Sequence, residues 1–417
     1  MAAGTALGLV IMLALTGVVL GQGVLLKRSC ATGDWADGRQ YRHFCYSDIV
    51  PLYGSEQLSH GRLPYVDACE GTGDGCDEYP VLTMYLMRAA AAVGRSYAGF
   101  FYANVVLLGL MALTTVWLLY RMVGTRAVYF ALAPTLAIYA FVNWDLLAVF
   151  LATAGTFLFL RNRNAESGAL LGLGTAAKLY PGLLVVPFGL DRIRRRQIGE
   201  GILIAVWAGV TWVAVNLPFA VLAPGPWSTF FRFNAHRPAD WDSLWFVVCQ
   251  RLEGGTGCGW SSGLINAGSA VAFVAVAAVV WFARRARDPE FPAWTFAFPL
   301  LVAFLLTGKV YSPQYSLWLL PWFALALPSP GLFIAFELAD VAVFLTRFSW
   351  FGRLSADMGD PGLAGYRGVP LGGFEIAVLV RAVILVLCLV AWVRRTEDEP
   401  VAVSTKRPVE PAGARSA

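Results

Sequence analysis

Charge is scarce in this chain: 14% of its 417 residues are Asp, Glu, Lys or Arg, and 3 are histidine. Ordinary soluble domains carry about 25% charged residues, so a water-soluble globule is excluded. Zinc-type ligand spacing is also lacking. Cys69 and Cys76, with six residues between them, do not have a usual zinc spacing, and no histidine accompanies them. No metal site and no cofactor is read from the sequence. Internal repeats are absent, which argues against a repeat-built secondary transporter. Low-complexity sequence is confined to residues 397–417, rich in Pro, charge and small residues, expected as a disordered cytoplasmic tail. No basic segment precedes the first apolar stretch, which exceeds the ~7–15 residues of a signal-peptide core. It reads as an uncleaved helix.

What is present is apolar sequence. Hydrophobic residues make up 58% of the chain, mean hydropathy is +0.61, and runs near twenty residues recur from end to end. Backbone groups in lipid must pair within their own segment, so the expected class is an all-α polytopic membrane protein, with residues 1–396 as one integral membrane domain. Net charge is +5, and the basic residues cluster in short loops. Arg121 and Arg126, Arg161 and Arg163, Arg192 to Arg196, Arg284 to Arg287, and Arg394 and Arg395 mark the cytoplasmic side. About ten full spans follow from this bias. They lie near residues 5–26, 97–120, 127–142, 146–160, 199–222, 263–283, 294–307, 314–327, 331–346 and 373–393. Outer loops then cover 27–80 and 223–262, and both termini fall in the cytoplasm.

Segment 169–190 is different, because basic loops flank it on both sides and Lys178-Leu179-Tyr180-Pro181 interrupts it. Proline disfavours the helical region for the residue before it. Two arms of roughly ten residues rise about 15 Å each, which predicts a re-entrant or two-short-helix hairpin with Lys178 near its apex. The alternative, one full span, would reverse every later basic loop.

Cysteine placement bears on the same topology. Cys30, Cys45, Cys69 and Cys76 lie in the first outer loop, Cys249 and Cys258 in the second, and Cys388 inside a span. Even counts in exported loops point to disulfides in an oxidising compartment. Four cysteines allow three pairings, and all three remain open.

The outer polar groups are the candidate site. Asp48 follows Tyr46-Ser47 and precedes Ile49-Val50-Pro51-Leu52-Tyr53; Glu78-Tyr79-Pro80 closes the same loop. Carboxylates beside aromatic rings suit a sugar, which offers an apolar face and many hydroxyls; the plain alternative is a solvated loop with interfacial anchors. Asp145 sits at a short outer turn, where it either caps the next helix or joins the site. Basic candidates are Lys309, Arg237, His236 and Lys178. A charge within the membrane costs about 2.5–3.5 kcal/mol, which makes Lys178 a functional candidate. Basic groups around an outer cleft suit a phosphate held at the bilayer surface.

Asp48, Tyr53, Gly61, Pro64-Tyr65 and Glu78-Tyr79-Pro80 in the first loop, Ala177-Lys178-Leu179-Tyr180-Pro181, and Ser312-Pro313-Gln314-Tyr315 running to Pro321 together resemble glycosyltransferase family 87. That family comprises polyprenyl-phosphate-dependent membrane enzymes of the GT-C fold, among them α-mannosyltransferases. The resemblance implies a polyprenyl phosphate sugar donor, most often mannose, a glycolipid or glycan acceptor, and transfer with inversion on the outer face of the cell membrane. It implies Asp48 as general base, the basic candidates on the donor phosphate, and Tyr53, Glu78, Tyr79, Asp145, Tyr311, Gln314 and Tyr315 in substrate binding. The chain departs from the family pattern in the insertion from Cys69 to Cys76, which bears on the acceptor. Two other classes remain: a secondary transporter, and a flippase of envelope lipid precursors.

Overall fold

The structure is a computed structural model that describes residues 2–70, 76–254 and 257–395, without the side chains of 2–5. The expected tail 397–417 lies outside the described residues. Every regular element among the described residues is a helix. Helix α1 (Ala2–Lys27) leads into the first loop, which carries α2 (Ile49–Ser55). Then come α3 (Val81–Val93), α4 (Tyr97–Val123), α5 (Pro134–Tyr139) and α6 (Asp145–Phe159). A hairpin of α7 (Asn164–Ala177) and α8 (Val185–Arg194) is followed by α9 (Ile198–Leu222), α10 (Pro224–His236) and α11 (Leu244–Glu253). The chain ends with α12 (Ser262–Arg287), α13 (Ala297–Thr307), α14 (Leu320–Leu325), α15 (Pro330–Asp357) and α16 (Leu371–Arg394).

Among the described residues, five stretches are long and apolar enough to cross a membrane: Ala6–Cys30, Tyr97–Ala131, Ile198–Leu222, Ser262–Arg287 and Leu371–Arg394. They turn apolar side chains outward, as Ile202, Val206, Val210 and Val213 do on α9. This is the arrangement lipid requires and water forbids.

Two expected spans are broken into pieces, and a third is longer than expected. Span 127–142 breaks into the one-turn helix Val128–Ala131 and α5, whose first residue is Pro134. Proline is well placed to start a helix and poorly placed to continue one. Span 314–327 divides into the 3-10 turn Pro313–Trp318 and α14, with Pro321 inside it. Span 331–346 is only the first half of the 28-residue α15. The short pieces form the centre of the fold, where Leu317, Leu319, Leu320 and Phe323 are fully buried. Carboxylates on α15 secure them. Glu337 accepts from the Thr135 N–H and hydroxyl at 2.8 and 3.0 Å, and Asp340 accepts from Ser316 at 2.7 Å and pairs with Arg381 of α16 at 3.1 Å.

The hairpin has both ends at one level. Arg192, near the end of α8, donates to the Asn164 side chain that begins α7 and to the Phe159 carbonyl that ends α6, at 3.0 and 2.7 Å. The helix breaks at Lys178, which has extended backbone, before the one-turn helix Tyr180–Leu183. A single straight span is thereby replaced by a return. Arm α7 lies close against α9: a Cβ on Gly168 or Gly172 would sit 2.3 Å from the Ile204 or Ala208 carbonyl oxygen. Small residues four apart permit this approach of two backbones.

The first loop is tied down at several points. Cys30 pairs with Cys45, Cys69 with Cys76, and Cys249 with Cys258 in the second loop, while Cys388 is free and buried. The Ser47 hydroxyl donates to the Phe141 carbonyl at 2.7 Å, and the Asp48 N–H to the Val142 carbonyl at 2.8 Å. Buried Arg62 bridges to Asp77 at 3.1 and 2.5 Å, and Glu56 accepts the N–H groups of Asp77 and Glu78. These contacts deliver Asp48 and Glu78 to the same place.

Candidate active site

That place is a cleft of about 690 Å³, bordered by the first loop, the turn after α5, the hairpin apex, α10, the loop after α13 and α15. Asp48, Glu78, Tyr79, Lys178, Arg237, Lys309, Gln314 and Tyr315 all line it. These residues are up to 267 positions apart (48 to 315) in sequence, so only the fold gathers them.

Asp48 directly precedes α2, yet its side chain makes no capping hydrogen bond and stays turned to the cleft. The Tyr46 hydroxyl hydrogen-bonds its carboxylate, and Asn143 Nδ2 donates to Oδ2 at 2.9 Å. Burial raises its pKa above the ordinary carboxylate value, although both hydrogen bonds and the charges of Lys178 and Arg347 act to lower it. Glu78 is also raised, by burial first and then by Asp48, with Arg237 opposing. The Tyr79 phenol is held well above its usual pKa by burial and Asp48, and so stays a neutral donor.

Lys309 is the cation that no carboxylate neutralises among the described residues of the cleft. Its ammonium donates to the carbonyls of Arg237 and Ala235 at 2.7 and 3.2 Å. Burial and the nearby Arg237 guanidinium lower its pKa. Arg237 itself pairs with Asp240 at 3.4 Å, and the Asp240 N–H donates to the Lys309 carbonyl at 2.8 Å, so the two cationic segments are stitched together.

Lys178 sits at the hairpin apex, 3.0 Å from Asp145 and 4.9 Å from the centre of the Tyr315 ring. The other oxygen of Asp145 accepts from the Trp318 indole at 2.7 Å. A charged lysine in this setting needs a partner, and the fully buried Asp145 provides it. Tyr180 and Tyr315 stack on Trp318 at 4.3 and 4.1 Å and make the aromatic floor.

Four expected residues do not line the cleft. Asp145 lies beneath it as the counter-ion of Lys178. Tyr53 is core, stacked on Phe100 at 4.8 Å. Tyr311 is buried under the Arg381 guanidinium, 3.7 Å from its ring centre, with its hydroxyl on Ser316. His236 is exposed at the end of α10, its ring on the Arg232 carbonyl. Conversely, Arg347, Tyr46 and Asn143 line the cleft without having been picked out as site residues in the sequence. Arg347 is held by Asp242 and, at 3.8 Å, by Asp240. A signal for it exists: it follows Asp340 by seven residues, two turns along one face of a mostly apolar helix. The expected span stopped one residue before it.

A family model, glycosyltransferase family 87, matches residues 79–313. No curated protein matches. Among solved structures, the chain is similar to crystal structures of ArnT from Cupriavidus metallidurans. For the form bound to undecaprenyl phosphate the identity is 15% and the TM-score 0.45, over 91% of this chain and 77% of that one. For the apo form the identity is 15% and the TM-score 0.40, over 94% and 77%.

Proposed function

The chain belongs to glycosyltransferase family 87, and on that premise we propose that it moves a sugar from a polyprenyl monophosphate to a hydroxyl of a cell-envelope glycolipid or glycan. One observation supports this reading above the others: a single cleft holds a carboxylate, Asp48, and a cation, Lys309, without a carboxylate partner among the described residues. Such a site suits a displacement that consumes a hydroxyl proton and releases a phosphate.

In this reading Asp48 takes the proton of the acceptor hydroxyl as its oxygen bonds to C1 of the sugar. The bond from C1 to the phosphate oxygen breaks, and its electron pair leaves with the phosphate. Lys309 and Arg237 stabilise the charge gathering there, and Lys178 adds a cation at the floor. One displacement inverts the anomeric centre, so a β-linked donor gives an α-linked product. Mannose is the favoured sugar by family. Glu78, Tyr79, Gln314 and Tyr315 surround the sugar with hydrogen-bonding groups and rings. The cleft faces the extracytoplasmic side, its architecture is of the GT-C type, and Phe230, Phe233 and Phe304 make an apolar side for the first isoprene units.

The test is transfer from synthetic polyprenyl phosphate mannose by full-length protein in lipid nanodiscs. Wild type should yield an elongated glycan, and Asp48→Asn should lower turnover by roughly 10²–10⁴-fold, the scale of general-base contributions, while still binding the lipid donor. Undiminished product from Asp48→Asn would remove Asp48 as the base. Transport of the lipid without any transfer by wild type would favour the flippase.

A further inference from the structure

Asn143 is 3% exposed, and its side-chain amide has three partners. Oδ1 accepts from the Trp144 N–H at 2.6 Å, while Nδ2 donates to Asp48 Oδ2 at 2.9 Å and to the Tyr79 hydroxyl oxygen at 2.6 Å. This orientation is the only one the chemistry allows. A backbone N–H can only donate, so the atom facing Trp144 must be the oxygen, and both amide protons then point at Asp48 and Tyr79. The turn is itself fixed, because the Trp144 indole donates to Asn104 of α4 at 2.7 Å. Two residues on, Asp145 pairs with Lys178. One short turn therefore aims one side chain at the cleft's carboxylate and another at the cation on its floor.

We propose that Asn143 is a positioning residue for the transfer reaction. Holding Oδ2 from one side, together with the Tyr46 hydroxyl, it fixes the rotation of the Asp48 carboxylate and so turns the lone pairs left over towards the acceptor hydroxyl. By filling a lone pair of the Tyr79 oxygen, it also sends the Tyr79 proton into the cleft, towards the sugar. The amide thus sets the direction of both the base and a neighbouring donor. The proposal rests on the transferase reading above, with Asp48 as base.

The groups that face Asp48 are Lys27 from α1, Tyr46, Glu78 and Tyr79 from its own loop, Lys178 from the hairpin and Arg347 from α15. Against that fixed background, Asn143→Asp changes one thing. The new side chain still accepts from Trp144, but it places a second carboxyl against Oδ2. Two carboxylates sharing a site raise the pKa of one of them.

The experiment measures kcat and donor KM against pH for wild type, Asn143→Asp and Asn143→Ser, with polyprenyl phosphate mannose and a mannoside acceptor in nanodiscs. In Asn143→Asp the acid limb should move up by at least one pH unit, with turnover recovering at higher pH. In Asn143→Ser, kcat should fall by about 10–100-fold with donor KM within about twofold, as expected for a misaimed base. A thermal midpoint near wild type shows that each variant is folded; if Asn143→Asp is not, Asn143→Ser carries the test alone. Wild-type pH profiles and turnover in these variants would overturn the proposal, as would a loss that falls on donor KM with kcat intact. A wild-type enzyme that transfers no sugar from this donor would instead overturn the function on which the proposal rests.

Discussion

Asp48 and Lys309 have pKa values displaced towards each other, the carboxyl upward and the ammonium downward, in both cases chiefly by burial. On the proposed reading, turnover requires Asp48 deprotonated and Lys309 protonated. Activity should therefore be lost on acidification at a pH above the ordinary aspartate value of about 3.9, and lost on alkalinisation below the ordinary lysine value of about 10.4. The kcat/KM profile should be a bell narrower than two unperturbed groups would give. Lys309→Ala should flatten the alkaline limb and lower kcat/KM by roughly 10²-fold or more, whereas Lys309→Arg, which keeps the charge, should restore part of the loss and remove the limb. A profile with no alkaline limb in wild type would exclude Lys309 from the chemistry. At this scale the sequence was legible where a residue stands out from its surroundings. Asp48, Glu78 and Lys309 are polar groups in or beside aromatic loops. Tyr53 and Tyr311 share that local signature and are core instead, because what separates them is a distant ring and a distant guanidinium, Phe100 and Arg381. Nothing near them in the chain records that difference.

Among the helices, the seam between α7 and α9 is the most exacting contact. At Gly172 a Cβ would meet the Ala208 carbonyl at 2.3 Å and the Thr211 side chain at 3.0 Å. Gly172→Val should cost about 1–3 kcal/mol, the range for overpacking a close contact, and lower the thermal midpoint of the solubilised protein. Gly209→Ala on α9 meets nothing within 4 Å and should not. Equal midpoints for the two variants would mean the seam is looser than described. Helices that cross in one piece, such as α1, α4 and α16, were readable from apolar run length. The pieces around Pro134, Pro313 and Pro321 were not, since each run is apolar enough to span and its break is decided by packing against α15. The return at Lys178 was readable because charge bias and a proline agreed there.

For the molecule as a whole, the disulfides and the cleft make one statement about compartment. Closing the loop from Cys30 to Cys45 stabilises by about 3 kcal/mol on loop-entropy arguments, and this only in an oxidising space. Peptide mapping of unreduced protein should recover Cys30 with Cys45, Cys69 with Cys76 and Cys249 with Cys258, leaving Cys388 as a thiol. Ser59→Cys and Glu253→Cys, made in a background without the loop cysteines, should react with an impermeant maleimide on intact cells. Reaction only after permeabilisation would place both loops, and the cleft with them, on the other face. The hairpin has a consequence for how such maps are made. Because α7 and α8 leave from the level at which they enter, they add an even number of passages and do not alter the side on which any later segment emerges. A reporter fused after Ala177 would cut the chain at the apex, with α8 unmade and the glycine face of α7 lacking α9. Freed from its partner, that arm can run on through the bilayer and carry the reporter with it. A fusion at that point would then score one crossing too many, and only fusions beyond Leu222, which carry both arms and α9, would read the true side.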